Sequence, residues 1–194
     1  SESVPKKVEE ALQELKEKEV EGLILDLRNN SGGLVSSGIA VADSLLSEKP
    51  VVETKNRNGI KDAIISQKET SFDGPMVTLV NKGTASASEI LAGSLQDNNR
   101  SILMGEQTYG KGLIQSLKSL GEDSGIAITV ASYLTPNGNN IQGQGITPDK
   151  LLDLPDANEY GSADDKWIKN AELFLESLLE KKEFSIQASD LSNE

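Results

Sequence analysis

The chain has 194 residues, 36% hydrophobic and 26% charged, with 19 basic against 31 acidic side chains for a net charge of −12, and it contains neither histidine nor cysteine. That length can bury one full core, built mainly from Leu, Ile, Val and Ala because aromatics are only 4%. The missing residue types exclude a Ser-His-Asp triad, a thiol nucleophile, disulfides and a Cys/His zinc site, and the negative charge argues against nucleic acid as a partner.

Residues 3–18 read as a helix, with Val8, Ala11, Leu12 and Leu15 on one stripe and Pro5 near its start. Gly22 to Leu27 is a short apolar run, hence a buried strand, and it ends in the polar loop Arg28-Asn29-Asn30-Ser31-Gly32-Gly33. A helix follows at about 36–47. Two strand-like runs then flank Asn58-Gly59, a strong hairpin signal. Pro75 opens a second buried strand, Met76 to Val80. After the loop Asn81 to Ala85 comes a helix from about Ser86 to Asn98, with Ala87, Ile90, Leu91 and Leu95 on one face.

Ile102 to Met104 is strand-like, and 113–120 and 125–134 read as two more strands. Asn137 to Gly145 is a loop rich in glycine and asparagine. A last helix is expected from Ser162 to about Lys181, with Ser162 and Asp165 as a capping pair and Trp167, Ile168, Ala171, Leu175 and Leu178 as its apolar stripe. The expected organisation is one core over residues 1–183 and a flexible tail over 184–194. Alternating helices and strands in the first hundred residues give an α/β fold with a largely parallel sheet. No run approaches the roughly 18 apolar residues of a membrane span. The chain opens on polar residues with no apolar signal region, so it is expected to be cytosolic or to have its targeting segment outside this sequence.

Both polar loops follow buried strands and lead into helices. In open α/β sheets, ligands bind at the carboxyl ends of strands. A helix beginning near Ser86 aims free N–H groups at whatever Ser86 attacks, which suits a developing oxyanion. Without imidazole or thiol, the base for a serine nucleophile must be a lysine or a carboxylate. Lys111, between Gly110 and Gly112, is the lysine candidate. The Gly-Lys-Gly run is not a phosphate loop, because the spaced glycine and following Ser/Thr are absent. The spacing alone leaves open that Ser86 is a helix cap, that the glycines are turn formers and that Lys111 is a surface lysine.

The stretch from Glu21 to Asp149 resembles the carboxyl-terminal processing proteases, the tail-specific serine proteases of peptidase family S41. The resemblance covers about two thirds of the chain. It rests on Gly22-Leu-Ile-Leu-Asp-Leu-Arg-Asn-Asn-Ser-Gly-Gly33, Asn81-Lys-Gly-Thr-Ala-Ser-Ala-Ser-Glu-Ile-Leu-Ala-Gly93, Gly105-Glu-Gln-Thr-Tyr-Gly-Lys-Gly112 with Gln115, and Gly143-Gln-Gly-Ile-Thr-Pro-Asp149, in that order. Ser31 departs from the proline of many members, and Tyr109 from their phenylalanine.

The resemblance implies a crotonase/Clp-peptidase-like core with a mostly parallel twisted sheet flanked by helices and a β-rich C-terminal part. It implies a Ser-Lys dyad, with Ser86 and not Ser88 as nucleophile, Lys111 as general base and Gln115 orienting the lysine. The oxyanion hole would be the backbone N–H groups of Ala87 and a loop glycine, Gly32. No cofactor and no metal are implied. The substrates would be proteins or peptides with accessible C-termini, cleaved in the bacterial envelope or periplasm, or in the thylakoid lumen. A PDZ domain would precede this region, so the chain is expected to be part of a longer protein. The contrasting reading is a non-proteolytic peptide-binding pseudoprotease or a crotonase-like acyl-binding module. A lysine acts as a base only when neutral, so Lys111 is expected to be buried, with a pKa moved from about 10.4 toward 7–8. In a straight strand Lys111 and Gln115 would lie roughly 13 Å apart, so the glycine-flanked segment has to bend for them to meet.

Overall fold

The computed structural model orders the chain as α1 (Val4–Glu17), β1 (Leu23–Asp26), α2 (Val35–Leu45), β2 (Pro50–Asn56), β3 (Lys61–Ile65), β4 (Met76–Val80), α3 (Ala87–Asp97), β5 (Ile102–Gly105), β6 (Leu113–Gly121), β7 (Ser124–Leu134), β8 (Lys150–Leu151) and α4 (Lys166–Leu191). The structure describes residues 3–59, 61–67, 69–121, 124–153 and 160–191, without the side chains of 61, 117 and 182–191.

The strands form two sheets. The first has the order β1-β4-β5-β8 and is parallel throughout. Strand β4 lies inside it and every residue of β4 is buried. Its alternation assigns its two faces. Met76 and Val80 point into a core completed by Leu12 of α1, Val41 and Leu45 of α2, and Ile90, Leu91 and Leu95 of α3. Val77 and Leu79 point the other way, against Trp167, Ala171 and Leu175 of α4. Helices on both faces explain why β4 reads as an unbroken apolar run. Thr78 joins that run because its hydroxyl bonds Ser101 Oγ at 2.8 Å, leaving no orphan polar group.

The second sheet has the order β3-β2-β7-β6 and is antiparallel. The Asn58-Gly59 turn joins β2 and β3, with Gly59 at φ 77. A tight turn returns the chain antiparallel, so these strands leave the parallel sheet of the first half and pair with β7 instead. The β-rich part is therefore shared between both halves of the sequence. Strand β6 is an edge strand of this sheet among the described residues.

The last helix begins later than the Ser162 expected from sequence. Ser162 to Asp165 is a turn, in which Asp165 N–H donates to the Ser162 carbonyl, and Asp165 itself caps the helix by accepting from Trp167 N at 3.0 Å. The helix continues past Lys181 to Leu191, and residues 192–194 of the expected tail lie outside the described residues.

Candidate active site

Strand β4 delivers the chain to a tight turn at Asn81–Ser86, and α3 leaves from it. Ser86 sits at φ 57, ψ −121, a region that side-chain-bearing residues rarely occupy, at a cost of about 1–3 kcal/mol. The turn carries Ser86 from the end of β4 to the N-terminus of α3. The surroundings hold it there. Asn81 Oδ1 accepts from Gly83 N and from Asn29 N, each at 2.9 Å. Thr84 Oγ1 donates to the Leu27 carbonyl at 2.8 Å, and Ala85 N donates to the Asn30 carbonyl at 3.0 Å. The two loops predicted from sequence are thus laced together at the carboxyl ends of β1 and β4.

Gly32, at φ 90, lies directly against the turn. A Cβ there would stand 2.6 Å from the Ala85 carbonyl oxygen, 2.9 Å from Ala87 N and 3.0 Å from Ser86 Cβ. The structure therefore brings Gly32, Ser86 and Ala87 together. Ala87 N–H has no acceptor among the described residues, as expected at the first position of a helix. Gly32 N–H donates to Asn30 Oδ1 at 3.1 Å, so serving an oxyanion would require sharing or releasing that bond.

Glu89 is a residue for which the sequence reading assigned no role. It is fully buried. Its Oε2 accepts from Ser86 N and from Lys111 N, each at 2.8 Å. Its Oε1 accepts from Thr108 Oγ1 at 2.5 Å and Gly110 N at 2.6 Å. Four donors thus fill both oxygens of this buried side chain, so neither is left without a partner in the core. The available signal was the Ser86-Ala-Ser-Glu89 spacing of a capping box, in which the glutamate reaches back to the N-cap N–H. Its further bonds to a segment 19–22 residues away are not encoded locally.

The Lys111 loop is fixed from its other side by the Asn137–Gly145 loop. Gly112 N donates to Gln142 Oε1 at 2.9 Å, Gly143 N to the Gly110 carbonyl at 2.9 Å, and Ile146 N to Thr108 Oγ1 at 2.7 Å. A Cβ on Gly145 would meet the Thr108 carbonyl at 2.3 Å. Lys111 and Gln115 line one cleft of about 580 Å³ together with Ala85, Ser31 and Tyr109. The Gly110–Gly112 segment is coil ahead of β6, as expected, and the β6–β7 register shifts between Ile114 and Gln115, where Val130 of β7 is the extra residue. Neither side chain has a hydrogen-bond partner among the described residues. The burial expected for Lys111 is absent. It is exposed, at the wall of an open cleft.

Arg28, the first residue of the loop after β1, is buried between the rings of Tyr160 and Trp167, 4.8 and 5.6 Å from their centroids. It pairs with Asp26 at 2.7 Å and Asp165 at 2.6 Å. Burial by itself lowers the Arg28 pKa, but the bonds and charges of the two aspartates outweigh it and hold the guanidinium further above its ordinary value. Burial likewise raises the Asp165 pKa, and the bonds from Arg28, Gly161 N and Ile168 N, with the Arg28 charge, overcome it and bring it down to about 2. This network ties the loop at the end of β1 to the start of α4.

The family model described as peptidase family S41 matches residues 1–152. A carboxyl-terminal-processing protease from Synechocystis sp. is 52% identical over 150 residues, which are 77% of this chain and 35% of that protein. A chloroplastic C-terminal processing peptidase from Tetradesmus obliquus is 48% identical over 147 residues, 75% of this chain and 32% of that protein. Among solved structures, a photosystem II D1 C-terminal processing protease superposes with a TM-score of 0.75 at 43% identity, over 79% of this chain and 40% of that one. The chain spans about a third of the length of these curated relatives.

Proposed function

Because the chain belongs to peptidase family S41, we propose that it is the catalytic core of a serine endopeptidase that cleaves protein substrates near their C-terminus. Ser86 Oγ attacks the scissile carbonyl while the neutral amine of Lys111 takes its proton. The oxyanion forms against Ala87 N–H and Gly32 N–H, the second of which is shared with Asn30. Lys111 returns the proton to the departing amine, the acyl-enzyme forms, and water repeats the sequence to release it. Gln115 orients the lysine amine without adding a charge. The observation that supports this reading is the single Glu89 oxygen bonded to the backbone N–H of both Ser86 and Lys111, which holds those two backbone positions in one frame.

Lys111 is exposed in this chain. The desolvation that favours its neutral form is supplied when substrate covers the cleft. In the longer protein a PDZ domain ahead of this core captures the substrate and brings it to the cleft. The protein works outside the cytoplasm, in the bacterial envelope or the thylakoid lumen; the Tetradesmus obliquus relative is named as chloroplastic. No helix among the described residues is long and apolar enough to cross a membrane.

The test is hydrolysis of an unstructured protein with an apolar C-terminus, together with labelling by a fluorophosphonate. Wild-type chain takes the label on Ser86 and cleaves. Ser86→Ala does neither and keeps its fold, while Ser88→Ala keeps both activities. Full hydrolysis by Ser86→Ala removes the assignment.

A further inference from the structure

Leu113 lines two depressions at once. One is the cleft with Lys111 and Gln115. The other is a groove of about 500 Å³ on the second sheet, whose far end carries Lys55 and Arg57. The two meet at Leu113, and the register lays the groove out along the sheet from there. Lys55 of β2 pairs with Ser132 of β7, and Ser132 pairs with Leu113 of β6. Directly paired residues share a face, so Lys55, Ser132 and Leu113 form one row across the three strands. Neighbouring strands lie about 4.8 Å apart, so the row runs roughly 10 Å from Leu113 to Lys55, the span of about three extended residues.

The electrostatics of this row are unusual for the chain. The protein carries a net charge of −12, yet no acidic residue lines the groove among the described residues. Lys55 and Arg57 are exposed and have no carboxylate partner among the described residues. Two unpaired cations closing an otherwise neutral groove, which begins beside the candidate base, are complementary to an anion at the end of an extended peptide. Val130 and Leu113 supply apolar contact along the way.

We propose that this groove seats the segment of the substrate downstream of the scissile bond, and that Lys55 and Arg57 hold its terminal carboxylate. The inference rests on the protease reading given above and adds a product-side anchor within the core itself. The anchor sets how far from the C-terminus the cut falls, on the order of three residues beyond the position over Leu113. An arginine fork and a lysine point charge on one carboxylate are a sound combination for an exposed end group.

Binding can be read without catalysis. The Ser86→Ala chain is titrated into a fluorescein-labelled, unstructured apolar decapeptide ending in a free carboxylate, and separately into its C-terminal amide. The acid is expected to bind about fivefold to tenfold more tightly, the size of two partly exposed ion pairs. In Lys55→Gln/Arg57→Gln on the same background that preference disappears, while affinity for the amide stays unchanged. A third peptide, the amide with a glutamate at its penultimate position, binds like the plain amide. The proposal is overturned by equal binding of acid and amide, by a preference that survives the double substitution, by the glutamate amide matching the acid, or by no binding at millimolar peptide. Loss of fluorophosphonate labelling on Ser86 in the wild-type chain would count against the protease reading alone, since the binding comparison does not depend on it.

Discussion

The backbone N–H groups of Ser86 and Lys111 donate to the same oxygen, Glu89 Oε2, at 2.8 Å each. One atom thus sets the separation of two loops that the sequence places on different elements. Glu89→Gln keeps the size but turns one acceptor oxygen into a donor, leaving at least one buried N–H or O–H facing an amide NH2. The expected result is a loss of about 1–3 kcal/mol in stability. Misplacing the candidate dyad by about 1 Å adds roughly a hundredfold loss in hydrolysis. Urea midpoints together with fluorophosphonate labelling rates measure the two effects separately. A variant with wild-type labelling would show that Glu89 serves the fold and not the site.

Lys111→Ala and Lys111→Arg are both expected to be inactive. The first has no base, and the second keeps its proton at any working pH. Because the Lys111 side chain is exposed and makes no hydrogen bond among the described residues, neither change should cost more stability than an ordinary surface substitution, about 0.5 kcal/mol. Hydrolysis by Lys111→Arg at the wild-type rate would show that another group takes the proton.

Gly32→Ala tests the oxyanion side. Its Cβ would stand 2.6 Å from the Ala85 carbonyl oxygen, a backbone atom that cannot step aside, and φ 90 is unfavourable to alanine. The loop must move away from Ser86, so turnover is expected to fall at least a hundredfold, the size of losing one oxyanion donor. Gly33→Ala, where a Cβ meets nothing within 4 Å, is expected to be milder. Comparing turnover numbers of the two variants decides the assignment.

The Asp165 carboxylate gives the fold an acid dependence of known sign. Its pKa is about 2 when folded against an ordinary 3.8. The stabilisation is complete above the ordinary value and is lost as pH falls toward 2. Its size is roughly 2 kcal/mol. Asp165→Asn should therefore be less stable than wild type at pH 7, and the gap should narrow steadily below pH 4. Urea unfolding at pH 7 and pH 3 measures it; a gap independent of pH would mean that Asp165 acts through its backbone bonds and not through its charge.

Elements with a local cause were legible in the chain before it folded. The apolar run Met76–Val80 had to be a buried strand, Asn58-Gly59 had to turn, and the spacing after Ala85 had to start a helix. The absence of histidine and cysteine left lysine and carboxylate as the bases to consider. Motifs in order were enough to point to Ser86, Lys111, Gln115, Gly32 and Ala87 as the residues to examine.

Tertiary structure decided what depends on long-range contact. The start of α4 at Lys166 was displaced from Ser162 because Asp165 is claimed by Arg28, 137 residues away, as well as by its own helix. The strands flanking Asn58-Gly59 joined the second sheet because β7 offered an antiparallel edge. Glu89 was assigned no role from sequence, and only folding brings Thr108, Gly110 and Lys111 to its side chain. The exposure of Lys111 is also a tertiary fact. Its glycine neighbours announce a loop, but what covers a side chain depends on the elements packed around it, and here they leave the cleft open.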